Sequence, residues 1–185
     1  MTDSLEKHAD APSAGASASN RWNSTRAAIL IAAVVVVWFV FDRITKVHFD
    51  QHIVGAHIGG PYAGLFEFTL VHNTGAAWGI FDNATFLLGI MSAVVSIAAA
   101  VLAIVFAKRS NWILSLGAGL VAAGGLGNAL DRFMLGYVVD FINLSFIEFP
   151  VFNIADIGVT CGFVLVVIAF LFFWKPSEEH QKADE

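Results

Sequence analysis

Two carboxylates stand where their chemistry would be unusual. Asp140 lies in Val138-Val139-Asp140-Phe141-Ile142, and Asp156 in Phe152-Asn153-Ile154-Ala155-Asp156. Both are set among apolar residues, with no lysine or arginine within four positions. Burial without a cation raises a carboxyl pKa. Two such groups brought together cannot both ionise easily and tend to share one proton. The pair then holds a base that can deprotonate water and an acid that can protonate a leaving group, the machinery of an aspartyl protease.

Other polar residues gather nearby in pattern. Asn128, Asp131 and Arg132 are spaced i, i+3, i+4, which on a helix places them on one face. Asn153 and Asp156 are spaced i, i+3, and Asp42 and Lys46 i, i+4. Asp42 and Lys46 read equally as a plain interfacial ion pair. Asp131 with Arg132 reads as a structural pair, because an arginine beside an acid holds it ionised. His48, His52 and His57 lack the glutamate of a metalloprotease pattern and read as surface histidines. Gly124-Gly125-Leu126-Gly127 lacks the lysine and hydroxyl residue of a phosphate loop, so close helix packing is its reading. The single Cys161 excludes an intrachain disulfide and reads as inert filler inside an apolar run.

The elements that must position these groups follow from composition. The chain has 185 residues, 57% of them hydrophobic, with 10 basic and 15 acidic side chains. Nearly half of those charges lie before Ala27 or from Lys175 onward, leaving a middle too apolar for a soluble globule. A disordered chain, a disulfide scaffold and a basic nucleic-acid binder are excluded. The uncharged runs Ala27–Phe41, Thr85–Ala107, Ile113–Leu130 and Ile157–Trp174, with their flanks, approach the roughly 20 residues needed to cross about 30 Å of hydrocarbon. The expected architecture is a membrane all-α protein of four transmembrane helices, at about residues 25–45, 85–107, 112–131 and 154–174. Residues 1–24 and 175–185 are expected to be disordered tails.

Four crossings place both termini on one side. With that side cytoplasmic, Lys7, Arg21, Arg26, Lys108, Arg109, Lys175 and Lys182 fall inside, and Arg43, Lys46 and Arg132 outside. Positive-inside bias favours this orientation. Trp22, Trp112 and Trp174 then mark the cytoplasmic boundaries. Asp42, Asp50, Glu67, Asp82, Asp131, Asp140, Glu148 and Asp156 all fall at the outer ends or beyond them. Within the outer segments, Leu65–His72 and Tyr137–Asn143 carry strand-like patterning and predict a small extracytoplasmic β-containing cap. Ionisable groups near hydrocarbon usually mark function. A transporter or proton channel using Asp140 and Asp156 as relay groups stays open beside the protease, as does a non-catalytic membrane scaffold. The dry inner halves of the spans, where only Ser92, Ser96, Thr160 and Cys161 are polar in the second and fourth, count against a relay.

Five motifs occur in order. Asp42-Arg43-Ile44-Thr45-Lys46 closes the first span, and Asn73-Thr74-Gly75-Ala76-Ala77-Trp78-Gly79 precedes the second. Gly124 through Arg132 closes the third, Gly136-Tyr137-Val138-Val139-Asp140-Phe141 follows it, and Phe152-Asn153-Ile154-Ala155-Asp156 opens the fourth. Together they resemble the lipoprotein signal peptidase family, also called signal peptidase II, over about Ala27–Trp174. The resemblance implies a bacterial inner-membrane aspartyl endopeptidase that cuts prolipoproteins just before a cysteine carrying a diacylglyceryl group. It implies Asp140 and Asp156 as the catalytic dyad. It implies Asp42, Lys46, Asn73, Gly75, Asn128, Asp131, Arg132 and Asn153 as supporting or substrate-binding residues. In that reading Asn128 and Asn153 orient the dyad or the scissile carbonyl, Arg132 pairs with Asp131, and Asn73 and Gly75 shape an outer loop over the substrate. No metal and no organic cofactor are implied. The partners are the lipidated prolipoprotein and membrane lipid, with no nucleic acid, and the chain is expected as a monomer. The family often has an acid three residues after the first dyad aspartate, where this chain has Asn143; the segment between the dyad acids is slightly short and the leading tail long, departures that bear on loop shape.

Overall fold

The computed structural model describes residues 22–76, 80–81, 84–109 and 111–174. Most of both expected tails, residues 77–79 of the second motif, and Asp82 lie outside the described residues.

Among the described residues, four helices are long and apolar enough to cross a membrane: α1 (Ser24–Phe49), α2 (Thr85–Val105), α3 (Trp112–Met134) and α4 (Ile154–Phe173). Asn23, Asn111 and Asn153 cap α1, α3 and α4, each accepting from a backbone N–H of the first turn. Helix α1 runs a full turn beyond the expected end at residue 45, so Lys46 is helical, and α3 continues past residue 131 to Met134.

Helix α3 is the core of the bundle. Of its apolar window 72% is buried, against 17–22% for the other three. Its glycines make this possible, since a helix with little side-chain bulk can be approached closely on several sides. A Cβ on Gly117 would sit 2.7 Å from the Gly162 carbonyl of α4, and one on Gly162 would sit 2.6 Å from the Gly117 carbonyl. Gly124 likewise lies against the Ala155 carbonyl at the mouth of α4, and Gly125 against Ser96 of α2. The glycine run is therefore a packing surface, as its sequence suggests. The outward faces of α1, α2 and α4 carry exposed Val, Ile, Leu and Phe, as lipid contact requires. Cys161 is among the exposed residues of α4, facing outward and not filling the interior.

The strands form one antiparallel sheet in the order β1 (His57–Tyr62), β2 (Phe66–Asn73), β3 (Val138–Leu144). The two patterned segments are β2 and β3. Strand β1 was not foreseen, because HIGGPY has neither alternation nor β-branched density beyond Ile58. One sheet face packs on the end of α1 through Phe49, Leu70, Val139 and Phe141. The Phe49 and Phe141 rings stack with centroids 4.1 Å apart. Val71 pairs with Asp140 and Asn73 with Val138 across the opposite face. The sheet thus ties strand β3, and its aspartate, to the bundle.

Candidate active site

Asp156 is placed by local sequence. Asn153 and Asp156 form a reciprocal capping box: the Asn153 side chain accepts from the Asp156 N–H at 3.0 Å, and Asp156 Oδ2 accepts from the Asn153 N–H at 3.1 Å. The carboxylate therefore sits in the first turn of α4, where the helix dipole favours negative charge.

Asp140 is placed by tertiary contacts on either side of its strand. The Val139 N–H donates to Asp131 Oδ2 at 3.4 Å, and the Val139 carbonyl accepts from Asn153 Nδ2 at 3.3 Å. These hold β3 against the outer ends of α3 and α4. Asp140 itself is 2% exposed. Its Oδ1 accepts from Asn153 Nδ2 at 2.6 Å and its Oδ2 from Asn73 Nδ2 at 2.9 Å.

The two acids, far apart in sequence, share a hydrogen-bonding partner. Asn153 links them directly, donating its side-chain N–H to Asp140 and its backbone N–H to Asp156. Burial, reinforced by the charge of Asp156, pushes the Asp140 carboxyl up to about 8 despite the amides of Asn73 and Asn153 and the Lys46 charge. That shift favours the protonated form of the Asp140 carboxyl. A neutral carboxylic acid beside a second, half-buried carboxyl that accepts from two N–H groups has the chemistry that general acid and base catalysis requires.

The sequence-derived expectation that neither acid has a cation nearby holds only along the chain. Lys46 from α1 and Arg132 from α3 both act on the dyad in space. Asn128 Nδ2 donates to Asp156 Oδ1 at 2.7 Å, and Asn128 Oδ1 accepts from Lys46 Nζ at 2.8 Å and Asn153 Nδ2 at 3.1 Å. Lys46 is 1% exposed, and its ammonium also lies 2.9 Å from Asp131 Oδ2 and 3.1 Å from Asp42 Oδ2. Asp42 in turn accepts from the Ala155 N–H at 3.0 Å through Oδ1. This is a buried network with its charges matched, not an interfacial ion pair.

The expected pairing of Arg132 with Asp131 is corrected. Asp131 is held by Arg43 Nη1 at 2.6 Å and by Lys46. Arg132 turns the other way and donates to the Gly75 carbonyl at 3.1 Å. Adjacent helical residues project about 100° apart, so one helix end faces α1 through Asp131 and the loop after β2 through Arg132. Gly75 is buried, and its N–H donates to Asn73 Oδ1 at 2.9 Å. Asn73 and Gly75 therefore do more than shape an outer loop: they fix the amide that holds Asp140. Arg43, adjacent to Asp42 in the first motif, was missed; its sequence position gives no face shared with Asp131. Among the described residues no group of histidine, cysteine and acid could hold a metal ion.

Two cavities meet at Asp140. A cleft of about 390 Å³ opens between the spans, lined by Leu88, Met91 and Val95 of α2, Val121 of α3 and Val159 of α4, and reaches Asp140 and Asp156. A groove of about 1050 Å³ runs along the sheet past Glu67, Val71 and Asn143 to Asp140, with Phe146–Val151 on its other side.

Residues 34–172 match the family described as signal peptidase (SPase) II. The chain belongs to that family. It is 35% identical over 143 residues to a lipoprotein signal peptidase of Lactiplantibacillus plantarum, covering 77% of this chain and 92% of the relative. It is 40% identical over 139 residues to one of Nostoc punctiforme, covering 75% and 86%. A solved structure of a bacterial membrane enzyme at 2.3 Å resolution superposes with a TM-score of 0.71 at 32% identity, covering 82% of this chain and 91% of the other. Signal peptidase II membership makes the chain an aspartic-type membrane peptidase, which sets aside the transporter and scaffold readings.

Proposed function

We propose that this signal peptidase II cuts diacylglyceryl-modified prolipoproteins immediately before the lipidated cysteine, with Asp140 and Asp156 activating water. The observation that carries the reading is the position of Asp140 where the two cavities join. The inter-span cleft is greasy and lies at the depth of the helices, so it suits a signal-peptide segment and a lipid chain. The sheet groove leads away from the bundle and suits the polypeptide that follows the scissile bond.

The chemistry balances within the pair. One carboxylate takes a proton from water as the water oxygen attacks the scissile carbonyl carbon. The protonated partner gives its proton to the carbonyl oxygen. The tetrahedral diol then collapses: the C–N bond breaks, the leaving nitrogen takes the proton held by the first carboxyl, and a diol hydroxyl returns a proton to the second. Water enters once and no external oxidant or reductant is needed. The amides of Asn73, Asn128 and Asn153 hold the acids throughout. In the same reading both termini are cytoplasmic, the dyad faces the extracytoplasmic side of the cell membrane, and the enzyme works as a monomer without a metal or organic cofactor.

The test is incubation of the purified enzyme with a lipidated prolipoprotein. Asp140→Asn and Asp156→Asn are each expected to abolish release of the signal peptide while the protein stays folded and monodisperse. Cleavage at the wild-type rate by either variant would remove that residue from the dyad.

A further inference from the structure

Lys46 is the most deeply enclosed cation among the described residues, and its ammonium is hydrogen-bonded to neither dyad acid. Its ammonium has three donors and no acceptor. The three oxygens around it are Asn128 Oδ1, Asp131 Oδ2 and Asp42 Oδ2, at 2.8, 2.9 and 3.1 Å. Two of these are carboxylates that neutralise charge. The third is a neutral amide, and its selection has a consequence. An amide facing an ammonium must present its oxygen, so its Nδ2 must face the other way. For Asn128 the other way is Asp156 Oδ1, 2.7 Å distant.

We propose, on the dyad reading above, that Lys46 is a positioning residue that acts through Asn128 to make Asp156 the member of the pair that begins the cycle as the base. Turned over, Asn128 would offer Asp156 an oxygen lone pair, which suits a protonated acid and opposes a carboxylate. With Lys46 in place that orientation is closed. The second donor to Asn128 Oδ1, Asn153 Nδ2 at 3.1 Å, enforces the same choice, and that same nitrogen is the donor to Asp140. Asp140 is held by the side-chain amides of Asn73 and Asn153, neither of which touches a carboxylate other than Asp140 through its Nδ2.

The charged groups around Lys46 are accounted for on every packed element. Asp42 lies on its own helix; Asp131 projects from α3 and is also held by Arg43; Asp140 of β3 and Asp156 of α4 lie beyond Asn128, and Arg132 of α3 acts on both of these acids. Removing Lys46 alone leaves Asp42 and Asp131 buried without it, a change that can unfold the site for reasons unrelated to catalysis. The double variant Asp42→Asn/Lys46→Met removes one charge of each sign, leaves the Arg43–Asp131 pair, and keeps an Oδ1 acceptor for the Ala155 N–H.

The experiment measures kcat, KM and the pH profile of cleavage of a lipidated prolipoprotein by the whole enzyme, for Asp42→Asn alone, Asp42→Asn/Lys46→Met, Asp42→Asn/Asn128→Ala, and the triple combination. Loss of one hydrogen bond to a charged group predicts a fall in kcat of about 10- to 100-fold on adding Lys46→Met to Asp42→Asn. KM is expected to stay within about twofold, because the effect is on the base and not on substrate contact. The acid limb of the kcat/KM profile should move to higher pH, since a base without its donor ionises less readily. In the Asn128→Ala background the further loss should shrink to about threefold or less, because the two residues act in series. A folded double variant with wild-type kcat and an unmoved acid limb overturns the proposal, as do losses that multiply. Inactivity of Asp140→Asn and Asp156→Asn alongside such a result would show that the dyad reading survives and only the role of Lys46 fails.

Discussion

Asp140→Asn should make the protein more stable as it makes it inactive, by an amount that depends on pH. In the folded state the Asp140 carboxyl titrates at about 8, against 3.8 for the ordinary group. Between those values the native protein binds a proton that the unfolded chain has released, so stability falls as pH rises across the window. Below 3.8 both states are protonated and above 8 both are ionised, and the slope vanishes. Each pH unit inside the window is worth about 1.4 kcal/mol. From pH 5 to pH 7 the wild type should therefore lose about 3 kcal/mol relative to an asparagine variant that does not titrate there. The variant must also rearrange the contact with Asn73, whose Nδ2 now meets an amide, at a cost of about 1 kcal/mol that is the same at both pH values. For a chain of this size 1 kcal/mol moves Tm by roughly 2–4 °C. The Tm difference, Asp140→Asn minus wild type, should grow by roughly 5–10 °C between pH 5 and pH 7 when both are melted in the same detergent. A difference that stays flat would mean that Asp140 ionises at its ordinary pH in the folded protein, and the assignment of the resting proton to it would be wrong. The same titration requires cleavage by the wild type to fall as pH rises through about 8, where that proton is lost.

Two further substitutions probe how the site is held. A Cβ on Gly127 would lie 2.5 Å from Asp42 Oδ2 and 3.3 Å from its Cγ, inside a fully buried contact; Gly127→Ala should cost about 1–3 kcal/mol as overpacking and reduce cleavage with it, read by thermal melting and peptide release, and an unchanged Tm would show that α1 yields freely there. Phe49→Ala removes the ring stacked on Phe141, next to Asp140 in β3; it should cost about 3–5 kcal/mol and lower kcat, and full activity in the folded variant would mean that the latch between α1 and the sheet does not position Asp140.

The capping box explains why Asp156 was legible. Asn153 and Asp156 make a motif four residues long whose geometry is set within one helical turn, so residue order alone places the acid at the mouth of α4. The strands β2 and β3 were legible for a similar reason, their patterning being local, while β1 is glycine- and proline-rich and forms only because β2 offers it a partner. Asn73 was legible as a site residue, but its direct bond to Asp140 crosses 67 residues. The partner of Asp131 could not be read at all: Arg132 is its neighbour in sequence, yet Arg43, 88 residues away, takes the contact.

The order of residues determined what obeys a short period: four apolar runs of membrane length, a slim glycine helix among them, polar groups confined to one end, and two acids without local counterions. Each of these follows from composition or from spacing within a turn or a strand. Only the packed molecule decided which cation serves which acid. A helix end presents neighbouring side chains about 100° apart, and which of them meets Lys46, Arg43 or Gly75 depends on how α1, β2 and β3 settle around α3. The site's electrostatics are a property of that packing, because buried charges interact over a few ångströms of low-dielectric interior whatever their distance along the chain.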